Sequence, residues 1–125
     1  MTPETGFPVE IIGGVPVVVA PEDIDITNAE RLRAALSEAA AHGQGRFVVD
    51  MTRTQFCDTA GLHALVAVHK RTRTGGGQVL LVIPGSGVLR IFAITGLDQV
   101  IPHVATLEEA LAQPPDAADP PDALI

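Results

Sequence analysis

Arg46-Phe47-Val48-Val49-Asp50-Met51-Thr52, followed after three residues by Phe56-Cys57-Asp58-Thr59-Ala60-Gly61-Leu62, is the stretch whose reading decides the fold. Its first half is a continuous apolar run with no polar alternation, the pattern of a strand buried on both faces of a parallel sheet. Its second half leaves that strand, turns, and opens a helix near Asp58-Thr59 that carries Leu62, Leu65, Val66 and His69 as far as Arg73, where Gly75-Gly76-Gly77 ends it. Gln78 to Ile83 then repeats the buried-strand pattern up to Pro84-Gly85. A strand, a helix and a second buried strand make a βαβ unit, so an α/β fold follows.

Working outward from this unit, Val9 to Ile12 and Val15 to Val19 are β-branched runs joined by Gly13-Gly14, a dipeptide suited to a two-residue hairpin. From Thr27 to about Ala41, residues Ala29, Leu32, Leu36 and Ala39 recur at helical spacing, with Thr27 or Asp25 as the expected cap and Gly43 as the stop. Gly87 to Thr95 reads as a short helix ended by Gly96, Val100-Ile101 as a short edge strand, and Thr106-Leu107-Glu108-Glu109 as a capping box opening a last helix. The Pro- and Asp-rich residues 113–125 should form a disordered acidic tail, and residues 1–8 a lead-in.

A length of 125 residues and 46% hydrophobic content suit one domain with one core. The four aromatic residues are all Phe, so Val, Ile, Leu and Ala must build that core. The formal net charge is −7, with Asp116, Asp119 and Asp122 supplying three of the negative charges. Such a surface repels phosphate backbones and anionic lipid, which argues against nucleic-acid and membrane partners and for a basic protein partner. Cys57 is the single cysteine, so no intramolecular disulfide forms. With no long apolar span and no basic signal-peptide start, the expected location is the cytoplasm.

Taken by itself, Asp58 or Thr59 at a helix start is an N-cap, worth about 1 kcal/mol, with Gly61 packing close to the sheet. The same position also suits a phosphorylated hydroxyl, because unpaired N–H groups and the positive end of the helix dipole face it. Ala60 and Gly61 are small and would let a partner's active site approach Thr59.

The two stretches together resemble the signature of STAS domains in anti-sigma factor antagonists, where a strand ending in Asp-Leu-Ser leads to Phe-x-Asp-Ser-Ser-Gly-Leu and the first Ser accepts the phosphoryl group. Thr59 occupies that position here. Glu22-Asp23-Ile24-Asp25-Ile26-Thr27-Asn28-Ala29 resembles the family's Gly-Glu-Ile-Asp-x-x-Thr-Ala segment, and Asp25 matches the acidic residue that lies beside the phosphoacceptor loop. Gly76-Gly77-Gln78-Val79 and Leu89-Arg90-Ile91-Phe92 with Thr95-Gly96-Leu97 agree with later parts of the pattern. The resemblance covers about residues 9 to 112. It departs from the pattern in having Thr rather than Ser as acceptor, Ala60 in place of the second Ser, and Pro21-Glu22 where Gly is common.

The resemblance implies a mixed sheet of four to five strands with about four helices. It also implies a regulatory protein rather than an enzyme, one that needs no cofactor and no metal. The implied partners are an anti-sigma factor serine/threonine kinase, which releases its sigma factor on binding this protein, and a PP2C-type phosphatase. Asp25, Asp58, Thr59, Ala60 and Gly61 are the implied contact residues, with Thr59 switched by phosphorylation, in a monomer or weak dimer. The alternative within the family is a scaffold subunit of a stressosome-like complex.

Other chemistry has less support. Cys57 as nucleophile with His63 as base lacks a third orienting residue, and a free Cys at a strand end is usually a small buried hydrophobe. His63 and His69 project about 240° apart on a helix and cannot chelate together. Gly75-Gly76-Gly77 follows a helix, precedes a strand and has no Lys-Ser/Thr after it, so it reads as a helix terminator rather than a phosphate loop. Lys70, Arg71 and Arg73 suit the last turn of a helix, complementing its dipole.

Overall fold

The computed structural model describes residues 7–42, 46–85 and 87–112. The expected acidic tail and the proposed stop at Gly43 lie outside them. A five-stranded mixed sheet runs in the order β1-β2-β4-β6-β7, from β1 (Val9–Ile12) and β2 (Val15–Val19) through β4 (Arg46–Asp50) and β6 (Gln78–Val82) to β7 (His103–Val104). Only β1 is antiparallel to its neighbour. Gly13 and Gly14 both have positive φ, 59° and 82°, which is what a tight two-residue turn between twisted strands requires.

Strand pleating sorts the central residues onto two faces. Val18, Phe47, Val49, Val79 and Leu81 join the main core, which is closed by α1 (Ala29–His42), α2 (Thr59–Thr74) and α3 (Gly87–Thr95). Val17, Val48, Leu80 and Val82 face the other way and form a smaller cluster with Ala110 of α4 (Leu107–Ala112). Burial on both faces is why these strands carry no polar alternation. Phe7 is also buried in the main core, with the Arg31 guanidinium 5.8 Å from its ring centroid, and Pro8 O accepts a hydrogen bond from Val19 N. Packing therefore begins within the expected lead-in, because an aromatic side chain at position 7 adds more to the core than it would in water.

Helix ends follow the local chemistry. The end of α2 is a Schellman arrangement in which Gly77 N donates to Thr72 O and Gly76 N to Arg73 O, with Gly76 at φ 84°. The capping box before α4 forms reciprocally: Glu109 N donates to Thr106 Oγ1, and Thr106 N to Glu109 Oε1. One expectation shifts. The edge strand is His103–Val104 rather than Val100-Ile101, since Val100 N and Ile101 N both bond back to Leu97 O in the turn following a 3-10 segment at Leu97–Gln99. The regular helix α1 starts at Ala29, and Asp25, one of the two expected caps, caps the turn that leads into it: its Oδ1 accepts from Thr27 N and its carbonyl from Ala29 N.

Candidate functional site

The site is built where two loops leave the same end of the sheet. Past β2 and β4 the ladder continues for one residue, Ala20 N donating to Asp50 O at 2.9 Å, and the chains then turn. Asp50 shapes its own turn by accepting from Thr52 N and the Thr52 hydroxyl. Thr54, buried, donates its hydroxyl to Pro21 O at 2.8 Å and ties the two loops together. Proline is tolerated at position 21 because the carbonyl, which it keeps, is the group used there.

Beyond this tie the loops pair as a second, two-stranded parallel sheet, β3 (Asp23–Ile24) with β5 (Phe56–Cys57). Gln55 N and Phe56 N donate to Glu22 O, and Asp58 N donates to Ile24 O. The register places Ile24 opposite Cys57, so Asp25 and Asp58 follow as the next residues on adjacent strands. This small ladder is not legible in the sequence by periodicity, because two residues are too few to show a period. Its trace is the pair of isolated apolar residues, Ile24 and Cys57, each flanked by acidic or exposed positions.

Asp58 is the N-cap of α2: its Oδ1 accepts from Gly61 N at 3.1 Å, and its carbonyl takes the Leu62 N–H. The two N–H groups before Gly61, on Thr59 and Ala60, have no intrahelical acceptor. Thr59 is the first helical residue and exposed, while Ala60 behind it is half-buried. Asp25 accepts hydrogen bonds from the Thr27 hydroxyl and from Thr27 N, and these, the hydroxyl first, hold its carboxyl below the usual aspartate range. Asn28 Oδ1 accepts from Asp25 N and its amide donates to Asp23 O, which fixes the turn from the other side.

Gly61 takes the close-packing part that its size suggested. It is buried, and a Cβ there would stand 2.6 Å from both Cys57 Sγ and Ile24 Cγ2. Its smallness seats α2 against β3 and β5 and positions Thr59 from beneath. Cys57 is 2% exposed, and burial, followed by the Asp58 charge, pushes its thiol up to about 12. A thiol held protonated in this way is a poor nucleophile. His63 is exposed and His69 buried, on different sides of α2, and no group of three His, Cys, Asp or Glu residues gathers among the described residues. A cleft of about 290 Å³ lined by Ser37, Val68, Arg71 and Thr72 lies at the other end of α2, away from Thr59.

The sequence profile of the STAS domain matches residues 7–110. The chain belongs to the STAS domain family. Among relatives of this STAS protein, the anti-sigma-F factor antagonist RsfB of Mycobacterium tuberculosis is 30% identical over 101 residues, covering 78% of this chain and 80% of RsfB. The crystal structure of an anti-sigma factor antagonist from Mycobacterium paratuberculosis superposes with a TM-score of 0.75 at 30% identity, over 84% of this chain and 89% of that one. SpoIIAA, solved in unphosphorylated and phosphorylated forms, shares the fold with TM-scores of 0.64 and 0.63 at 22% and 23% identity, over 85% of this chain and 94% and 96% of those chains. Anti-sigma factor antagonists of this family are regulatory binding proteins, not enzymes. No helix among the described residues is long and apolar enough to cross a membrane.

Proposed function

We propose that this STAS protein is an anti-sigma factor antagonist that binds an anti-sigma factor kinase through the face around Thr59 and is released when Thr59 is phosphorylated. The observation that carries the reading is the exposed Thr59 hydroxyl at the first position of α2, beside a pair of strands that align Asp25 with Asp58. The relatives named as antagonists and the phosphorylated form of SpoIIAA support it.

The switch is electrostatic. In the unmodified state Thr59 presents a neutral hydroxyl, and the carboxylate of Asp58 already occupies the cap. A phosphoryl group adds about −1.5 to −2 charges next to Asp58 and near Asp25. A kinase surface that must desolvate that charge, or that holds nucleotide phosphates opposite it, loses about 2–5 kcal/mol of binding, roughly 30- to several-thousand-fold in affinity. The fold need not change. A PP2C-type phosphatase in the same cytoplasm would restore the hydroxyl, and the protein would act as a monomer or weak dimer.

The test is capture from lysate of the source organism with wild type, Thr59→Ala and Thr59→Glu as baits, with bound proteins identified by mass spectrometry. Recovery of one ATP-binding kinase by wild type and Thr59→Ala but not by Thr59→Glu is the expected result. Recovery of only other STAS proteins in a large complex, indifferent to residue 59, would instead make the protein a scaffold subunit.

A further inference from the structure

Two large apolar side chains stand in solvent on the paired segments that lead to Asp25 and Thr59: Ile26 is 79% exposed and Phe56 is 48% exposed. Neither exposure is forced by the fold's lack of an interior. Residues alternate on the small sheet, Ile24 and Cys57 pointing into the core and Asp23 and Phe56 pointing out, with Asp23 directly opposite Phe56. The strand thus places a Phe on its solvent side, cross-strand from a carboxylate, where an isolated domain gains little from it.

The two segments themselves are acidic. Glu22, Asp23, Asp25 and Asp58 lie on these same segments, and residues 22–26 and 56–60 contain no Lys, Arg or His. Apolar side chains at the centre of a charged rim are the composition of a protein contact in which a few large residues carry most of the affinity. The charge fixes the partner's chemistry, because an anionic surface opposite four carboxylates would be repelled.

We propose that Ile26 and Phe56 are the apolar anchors of the kinase contact, received in a hydrophobic pocket whose rim carries Arg or Lys. This rests on the Thr59 reading, which makes the same face the kinase's docking surface, and it adds a division of labour. The anchors supply affinity in the unmodified state, and Thr59 supplies the switch. Phosphorylation then sets the repulsion of about −1.5 to −2 charges against that apolar affinity.

The test is isothermal titration of the purified kinase recovered by the capture experiment with wild type, Ile26→Ser, Phe56→Ser, Thr59→Glu and Ile11→Ser. Ile11 is 62% exposed at the hairpin end of the sheet, opposite Thr59, and serves as the control. Ile26→Ser and Phe56→Ser should each weaken binding about 10-fold or more, and Ile11→Ser should stay within about twofold. Ile26 is so exposed that its substitution leaves the fold unaffected, so the proposal does not depend on the behaviour of Phe56→Ser alone. If both anchor variants bind like wild type while Thr59→Glu does not bind, the anchors are wrong and the switch stands. If the anchor variants bind weakly while Thr59→Glu binds like wild type, the anchors stand and the switch is wrong. Anchor variants that alter only self-association in sedimentation, with kinase affinity intact, would overturn the proposal in favour of a second copy as occupant.

Discussion

An alanine at position 61 would usually be welcome in a helix, where it gains about 1 kcal/mol over glycine. Here its Cβ would meet Cys57 Sγ and Ile24 Cγ2 at 2.6 Å, and overpacking of this kind costs about 1–3 kcal/mol. Contact wins over propensity because neither neighbour is a flexible chain end. At a net cost of about 1–2 kcal/mol, Gly61→Ala should lower the thermal midpoint by roughly 3–10 °C in a calorimetric scan, and an unchanged or raised midpoint would show that α2 does not depend on this close approach. Cys57 should resist alkylation in the native protein at pH 8 and react at the rate of a free thiol only on unfolding, since burial keeps it protonated. Rapid labelling of the folded protein would contradict the burial.

Asp25 carries a pH signature of the same local kind. Its folded-state pKa lies below the unfolded value, so its contribution to stability is full above the ordinary aspartate range and is lost as pH falls through the lowered value. Thr27→Val removes the hydroxyl donor that dominates the shift and should move the Asp25 carboxyl titration upward toward the ordinary range, read by NMR of the side-chain carbon. No movement would mean that the turn is held by Asn28 instead.

Among the elements, α4 depends most on its first turn. It has six residues, too short to persist on propensity, and it is held by the Thr106–Glu109 capping box and by Ala110 on the outer face of the sheet. Thr106→Ala should cost about 1 kcal/mol and raise amide exchange in α4 ahead of the central strands. Exchange rising equally everywhere would instead mean that α4 and the sheet open as one unit.

These elements also show what the sequence could convey. The central strands, the hairpin, the α2 boundaries and the capping box were legible because each has a strong local signature: unbroken apolar runs, Gly-Gly, an Asp N-cap, and Thr-x-x-Glu. The last edge strand was misplaced by three residues because Val100 and Ile101 are apolar for another reason, namely a turn that buries Ile101 in the main core. The β3–β5 ladder was illegible because its pairing is set by the loop tie from Thr54 to Pro21, a contact 33 residues apart in sequence. The position of Thr59 and the close packing of Gly61 were readable, but the residues that Gly61 packs against were not, since only the folded structure brings Cys57 and Ile24 to that glycine.

At the scale of the whole molecule, the sheet carries a rigid end from which β3 and β5 project, and the helices α1 and α2 both begin there. Four acidic residues, Glu22, Asp23, Asp25 and Asp58, and the exposed apolar pair Ile26 and Phe56 lie on the segments at this end. In the proposed switch a single phosphoryl group on this face releases the kinase. The direct measurement is the dissociation constant of the purified kinase for unmodified protein and for protein phosphorylated at Thr59, with the modification site mapped by fragmentation mass spectrometry. Phosphorylation confined to Thr59 with affinity reduced about 30-fold or more is the predicted result. Equal affinities, or phosphorylation at another residue, would contradict the account.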